Sequence, residues 1–335
     1  MKPTVSIIVV TWNGRELLGR CLASLYRQRY ADREIILVDN GSVDSSAHFV
    51  RDTFPDVKIV VLTDNRGFAG GATAGFAASS GEFIALLNDD AQADDRWLEN
   101  LVHAMQADSG TGICASKILR ADDGTIDSAG DGATTWGVGY KRGLGEDGCT
   151  HSAQGYVFGA CGAAALYRRT MLASIGFLDE RLFLHYEDTD LNFRAQLAGW
   201  KCLYVPAALV YHEVGATVPA WSEEHVYYHA RNLEALWIKN MPVALMLRFA
   251  HHKLLQEIMS FLYLCLRRGH WRAFLRAKRD AIMLLPGQLA RRRTIQSRRM
   301  VSNLYLKSML TPLFNGELVR QKSRQWRGQR VRSEP

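Results

Sequence analysis

Four short runs of apolar, largely β-branched residues mark the first 90 positions: VSIIVV (5–10), EIILVD (34–39), KIVVLT (58–63) and FIALLN (83–88). Between the first two, Leu17, Leu18, Cys21, Leu22 and Leu25 recur at helical spacing and predict a helix with one buried face. In DNGSVDSSAHFV a turn runs into another helix, with Ser42 or Asp44 as the candidate N-cap. Strands alternating with helices predict β-α units and a mostly parallel sheet. Each run ends in polar or glycine-rich residues: TWNG, DNGS, DNRGFAGG and NDDA. Ligands of open α/β sheets bind beyond the carboxyl ends of the strands, so these four turns are expected to meet in one crevice, the mark of a nucleotide-binding half.

The pattern then changes. Residues 120–155 hold eight glycines between Gly124 and Gly148 and almost no aliphatic run, which predicts a functional loop or a small twisted hairpin region. A strand-like run from Tyr156 to Tyr167 follows, then a short helix near RRTMLASIG and the strand KCLYVP leading into ALVYHEVG. The last 95 residues read as helices, with Leu247, Ala250, Leu254, Ile258, Phe261, Leu262 and Cys265 on one face and Arg248, His252, Lys253 and Gln256 elsewhere. Their longest nearly unbroken apolar run, IMSFLYLCL, covers nine residues. A spanning helix needs roughly 20, so none is expected.

Charge sharpens this division. Residues 1–240 carry 21 Lys+Arg against 30 Asp+Glu, a net of −9, whereas residues 241–335 carry 20 against 4, a net of +16. Two parts of one chain with such opposite balances face different surroundings. The six cysteines lie far apart without a C-x-x-C pair, which excludes a standard zinc cluster, gives no sign of a disulfide framework and points to a reducing compartment. The apolar stretch from Val5 to Val10 is too short for a signal-peptide core and is more simply a first strand.

Two carboxylate turns carry the candidate chemistry. Asn88, Asp89 and Asp90 close a buried strand with hard oxygen ligands of the kind Mg²⁺ or Mn²⁺ takes, completed by phosphate and water; a solvated helix start is the competing reading. In LHYEDTDLNF, Glu187, Asp188 and Asp190 either favour a helix N-terminus or supply a general base. His212, alone after a strand, is by itself more often a packed side chain than a ligand.

Taken in order, VSIIVVTWNGRELLGRCLASL, EIILVDNGSVDSS, DNRGFAGGATAG, FIALLNDDA, GACGAAALYRR and FLDERLFLHYEDTDLNFRAQLAGW resemble the inverting glycosyltransferases of family two, in the branch of the bacterial rhamnosyltransferases and galactofuranosyltransferases. The resemblance spans about residues 4–240. It implies a GT-A domain, an α/β Rossmann-like sheet flanked by helices, with residues 1–118 as the nucleotide-sugar half and 119–240 as the acceptor and catalytic half. Residues 241–335 then form a basic helical extension. By resemblance, Thr11, Asn13 and Asp39 sit against the nucleoside, though Asp39 also suits an Asx turn. Asn65, Arg66 and Gly70 line the donor side, with a tight turn into a helix as the plainer alternative. Asn88 stands where the family's D-x-D motif has its first acid, which leaves Asp90 as the principal metal carboxylate and Asp89 beside it. His212 matches the histidine that completes the metal shell in galactofuranosyl relatives. Asp188 matches the catalytic base, and Glu187 orients the acceptor or Asp188.

The implied reaction is transfer of a sugar, rhamnose first, from dTDP-rhamnose or a UDP-sugar to a hydroxyl of a glycan or lipid-linked acceptor in cell-surface polysaccharide synthesis, with a divalent cation. A glycosidase is disfavoured by the nucleotide-type crevice. A dehydrogenase is disfavoured by TWNG where a dinucleotide fingerprint belongs, and a sugar-phosphate nucleotidyltransferase by the missing glycine-rich phosphate loop. A nucleotide-sugar-dependent membrane scaffold remains the non-catalytic alternative. Arg-rich apolar helices with Trp271 and Trp326 fit an anionic membrane surface better than nucleic acid, so the expected location is cytoplasmic, at the inner face of the membrane.

Overall fold

A computed structural model describes residues 4–214, 222–312, 315, 316 and 318. Trp326 lies outside the described residues. The chain forms β1 (Val5–Thr11), α1 (Arg15–Tyr26), β2 (Arg33–Asp39), α2 (Ser46–Thr53), β3 (Lys58–Val61), α3 (Gly67–Ala77), β4 (Phe83–Leu87), β5 (Ala91–Ala93) and α4 (Trp97–Ala107). There follow β6 (Thr111–Arg120), β7 (Ile126–Ala129), β8 (Asp131–Thr134), β9 (Gly139–Lys141), β10 (Gly155–Val157), β11 (Ala164–Arg168) and α5 (Arg169–Ile175). A 3₁₀ turn (Glu180–Leu182) leads to α6 (Glu187–Leu197), β12 (Lys201–His212), α7 (Glu223–Asn240) and α8 (Val243–Phe261). A π turn (Leu262–Arg267), α9 (Trp271–Ser297), α10 (Asn303–Met309) and β13 (Leu310–Thr311) complete the described chain.

The four opening runs become β1 to β4. They lie in one mixed sheet of order β10-β12-β6-β11-β4-β1-β2-β3, with β5 beside β12 and β7 beside β6. The β1, β2, β3 and β4 pairings are parallel, as is β6 with β12, while β11 runs antiparallel to both β4 and β6. Strand alternation sends β1 side chains both ways. Val5, Ile7 and Val9 pack with Leu18, Leu22, Trp97 and Leu101, whereas Ile8 and Val10 pack with Ala69, Ala72, Met171 and Leu191. Both faces are covered, which is why the runs are almost continuously apolar.

Three local expectations are refined. Asp44 does not cap α2 directly: its Oδ1 accepts from Ser46 N (3.0 Å) while Ser45, at φ 65°, is the residue preceding the helix. The run from Tyr156 to Tyr167 is two strands, β10 and β11, parted at residues 158–163. The glycine-rich region holds β7 and the β8–β9 hairpin, and β13, from the far end of the chain, pairs parallel with β8 to make a second, three-stranded sheet.

The C-terminal helices join the core through a cluster in which Phe158, Phe193 and Leu197 meet Trp237, Leu245, Phe249, Leu306 and Leu310. Most of the apolar stripe legible in the sequence does not pack inward, Cys265 being its one buried member. Leu247, Leu254, Ile258, Phe261 and Leu262 face outward, while Leu245, Phe249, Leu264, Cys265 and the stem of Lys253 are buried. No helix among the described residues is long and apolar enough to cross a membrane.

Candidate active site

The sheet order delivers the polar strand ends to one region. At the end of β4, Asn88 N donates to Ala163 O (2.9 Å), and Glu213 N donates to Asp90 O (2.9 Å). The NDD tip is therefore fastened both to the 158–163 turn and to the end of β12. Antiparallel pairing of β5 with β12 sets His212 opposite Ala91, one residue beyond Asp90. The result is a close pair, His212 Nε2 lying 3.0 Å from Asp90 Oδ1 with both side chains nearly buried. Burial pulls the His212 imidazole down, but the Asp127 carboxylate bonded at Nδ1 and the Asp90 carboxylate close to Nε2 outweigh this and hold it up at about 9.

Asp89 points elsewhere. Its carboxyl lies against Gly14 and Thr11, so close that a Cβ at Gly14 would meet Asp89 Oδ2 at 2.4 Å and Thr11 Oγ1 at 2.5 Å. Burial pushes Asp89 up to about 7, opposed by the Thr11 hydroxyl and assisted by repulsion from Asp90. The adjacent carboxylates of the sequence are thus accommodated separately: one is stabilised in its neutral form and the other is paired with an imidazole.

The remaining donor-side residues form two linked turns. Asp39 Oδ1 accepts from Ser42 N (2.8 Å), three residues on rather than the two of an Asx turn, while Asn13 receives Val43 N on its Oδ1 (2.8 Å) and donates its own N–H to Ser42 Oγ (2.9 Å). Asn65 and Arg66 are organised by Asn40, a buried residue inside the DNGS motif that was not singled out from the sequence. Its Nδ2 donates to Asn65 Oδ1 (3.1 Å) and Gly67 O (3.0 Å), and its Oδ1 accepts from Arg66 N (2.9 Å). The Arg66 guanidinium is half-exposed, 4.0 Å from Asp64. Gly70 faces the Arg66 stem, where a Cβ would come within 2.5 Å of Arg66 Cβ.

The second carboxylate turn is reached through residues 158–163. Gly162 N donates to Asp188 Oδ2 (2.9 Å), next to the Ala163 carbonyl that holds Asn88. Asp188 Oδ1 accepts from Thr189 N (2.6 Å) and Thr189 Oγ1 (3.2 Å). The approach to this turn is strained, with Phe183, His185 and Tyr186 at φ 63°, 68° and 70°. Glu187 is buried and its Oε2 has no hydrogen-bond partner; burial, then repulsion from Asp188, pushes it up to about 8. Asp131 and Cys161 stand near Asp188, all three offering an atom within 4.8 Å of one another. Burial and the charge of Asp188 hold Asp131 well above the usual carboxylate range.

Two places can be weighed as cation sites. The Asp131–Cys161–Asp188 group includes a buried thiol that burial keeps protonated, which suits a hard cation poorly. Asp90 and His212 offer a hard oxygen and an imidazole, and the nearby Asn88 Oδ1 is buried without a hydrogen-bond partner. That donor set fits Mg²⁺ or Mn²⁺, with phosphate and water completing the shell. Asp127, Asp131 and Lys141, all in the glycine-rich region, had no motif to single them out; their one signal is charge within short strand-like segments.

Comparison with known proteins bears on this arrangement. An N-acetylglucosaminyl-diphospho-decaprenol L-rhamnosyltransferase of Mycobacterium tuberculosis is 24% identical over 260 residues, 69% of this chain and 83% of that protein. An uncharacterized glycosyltransferase of Nostoc sp. is 33% identical over 133 residues, 37% of this chain and 40% of the relative, and a Sinorhizobium fredii protein is 33% identical over 232 residues, 64% and 25%. The chain thus spans less than half the length of these last two. Among solved structures, GalNAc-T7 with UDP, GalNAc and Mn²⁺ superposes with a TM-score of 0.57 at 17% identity over 70% of this chain and 48% of that one. The mannosyltransferase of Pyrobaculum calidifontis with GDP-Man and Mn²⁺ gives 0.51 at 18% identity over 96% and 87%. These structures share the GT-A fold, and both contain Mn²⁺. The family described as Glycosyl transferase family 2 matches residues 6–176, about half of the chain, and with this ordered set of strand-end motifs the chain belongs to that family.

Proposed function

We propose that the protein is an inverting glycosyltransferase that moves a sugar from a nucleoside diphosphate sugar to a hydroxyl of a glycan or lipid-linked acceptor. The observation that carries this reading is the shared scaffold at 158–163, whose adjacent residues hold the Asn88–Asp90 tip and Asp188. One turn thus ties the tip proposed to face the donor to the carboxylate proposed as base, which supports a single displacement. Asp188 keeps its carboxylate oriented through Gly162 N–H and Thr189, and accepts the proton of the acceptor hydroxyl. The acceptor oxygen bonds to the anomeric carbon as the bond from that carbon to the diphosphate oxygen breaks, and the nucleoside diphosphate leaves with the electron pair. Attack opposite the leaving group inverts the anomeric centre. Glu187, buried and with its proton favoured by burial and by Asp188, has its Oε2 free to orient a hydroxyl near Asp188. Asp90 and His212 would hold a Mg²⁺ or Mn²⁺, whose charge supports the departing diphosphate.

Rhamnose from dTDP-rhamnose is the favoured donor, with UDP-galactofuranose or another UDP-sugar second; similarity to the mycobacterial rhamnosyltransferase supports this order and an acceptor carried on a lipid diphosphate in cell-surface polysaccharide synthesis. The basic C-terminal helices would bring the site to an anionic membrane at the cytoplasmic face, as a peripheral enzyme. Thermal shift against a panel of nucleotide sugars, with and without Mn²⁺, identifies the donor. With that donor, Asp188→Asn is expected to keep donor binding and lose transfer by about 10²–10⁴-fold. Near-normal turnover by that variant would eliminate Asp188 as the base.

A further inference from the structure

We infer that Asp127 is the positioning residue for His212, accepting the Nδ1–H so that Nε2 is the ring nitrogen turned toward Asp90 and the cation; this rests on the cation reading proposed for that pair. Asp127 lies on β7 and His212 at the end of β12, and both strands flank β6. Asp127 Oδ2 is 3.1 Å from His212 Nδ1, while His212 Nε2 is 3.0 Å from Asp90 Oδ1. The ring is therefore held by hydrogen bond at Nδ1 alone, with Nε2 facing a second carboxylate whose Oδ1 has no hydrogen-bond partner.

A neutral imidazole ligates through one nitrogen and donates through the other, and which does which is set by the partner of the donor. Asp127 is almost fully buried, so its carboxylate is a fixed acceptor at Nδ1. Lys141 makes that burial tolerable. Its Nζ lies 2.7 Å from the same Oδ2, which anchors the carboxylate and offsets the repulsion that Asp90 and Asp127 would otherwise exert across the ring. Lys141 is itself positioned by the small sheet, since β9 pairs with β8 and β8 with β13. A segment more than 160 residues downstream, Leu310–Thr311, thus supports the lysine, and Tyr140 OH meets Thr311 Oγ1 at 2.8 Å.

The test is Mn²⁺ titration of the full chain by electron paramagnetic resonance, in the presence of UDP and separately of dTDP. Asp127→Ala is expected to weaken Mn²⁺ about 10–100-fold. Asp127→Asn, whose amide oxygen still accepts from Nδ1, should lose less. Because Asp127 acts through the ring, Asp127→Ala in a His212→Ala background should cost no further affinity, whereas a general structural defect would add its own loss. Unfolding followed in EDTA identifies a variant that fails to fold, in which case Asp127→Asn and Lys141→Met, both expected to weaken Mn²⁺, carry the comparison. Additive losses, or folded Asp127 variants that bind Mn²⁺ like wild type, would overturn the inference. Wild type that binds no Mn²⁺ with either nucleotide overturns the cation reading itself, and the role of Asp127 with it.

Discussion

Glu187 illustrates how a single carboxyl can couple the site to pH. Burial and the neighbouring Asp188 push it up to about 8, whereas an unfolded glutamate titrates near 4.5. Below the unfolded value both states are protonated and the group costs nothing. As pH rises toward 8 only the folded state keeps the proton, so stability falls across that window and levels off above it. The stability lost amounts to at most about 1.4 kcal/mol per pH unit. Glu187→Gln is therefore expected to unfold at a temperature close to wild type at pH 5 and at a clearly higher one at pH 8.5. A constant difference across this range, measured by calorimetry, would mean that Glu187 is ionised in the folded protein.

At the scale of elements, α6 carries both Glu187 and Asp188, and a buried ion network fixes it. Lys239 on α7 reaches Asp190 Oδ1 (2.8 Å) and Asp179 Oδ2 (2.7 Å), Arg194 Nε meets Asp190 Oδ2 (2.9 Å), and Asn240 Nδ2 donates to Asp190 Oδ1 (2.8 Å). Lys239→Ala removes a buried cation that touches both carboxylates but leaves Asp190 with Arg194 and Asp179 with Arg291, so it should cost about 1–3 kcal/mol in urea unfolding and lower activity with it. The start of α3 is a second fixed point. Gly67 has φ +69°, and a Cβ there would lie 2.2 Å from Phe183 O, in the strained segment leading to Glu187. Gly67→Ala is expected to lose roughly 1–3 kcal/mol, and transfer activity more than stability, because the displaced Phe183 segment leads into α6, which carries the proposed base Asp188. An unchanged denaturation midpoint would show that the two halves are less tightly coupled here than the packing indicates.

For the whole molecule, the outward side of α8 and the π turn matters most. Leu247, Leu254, Leu255, Ile258, Met259 and Leu266 are exposed, with Arg248, Arg267, Arg268 and Arg272 nearby in the chain. Exposed apolar side chains with basic neighbours are the features on which the proposed contact with an anionic bilayer rests. Full-length protein is expected to float with vesicles containing phosphatidylglycerol and not with pure phosphatidylcholine, and binding should fall as salt screens the arginines. A Leu254→Glu/Ile258→Glu variant should stay folded and lose most of the binding; equal flotation by variant and wild type would place the contact elsewhere.

The legibility of each feature follows its range along the chain. Strands β1 to β4, helix α1 and the polar strand ends were readable because side-chain periodicity and turn chemistry are local, and the resemblance supplied Asp188, Asp90 and His212 as candidates. Periodicity also revealed the stripe through Leu254 and Ile258, but it does not say whether a stripe meets protein or solvent, and this one faces outward. The resemblance implied that Asp90 and His212 share a site, and the structure sets them 3.0 Å apart across 122 positions; what the tertiary structure alone decided are the pairings of Asp127 with His212 across 85 positions and of Lys239 with Asp179 and Asp190. Sheet order determines the meetings at His212, through β7 and β12 flanking β6 and β5 beside β12, while packing of α7 on α6 determines those of Lys239; no local pattern in a chain encodes which distant element will be its neighbour.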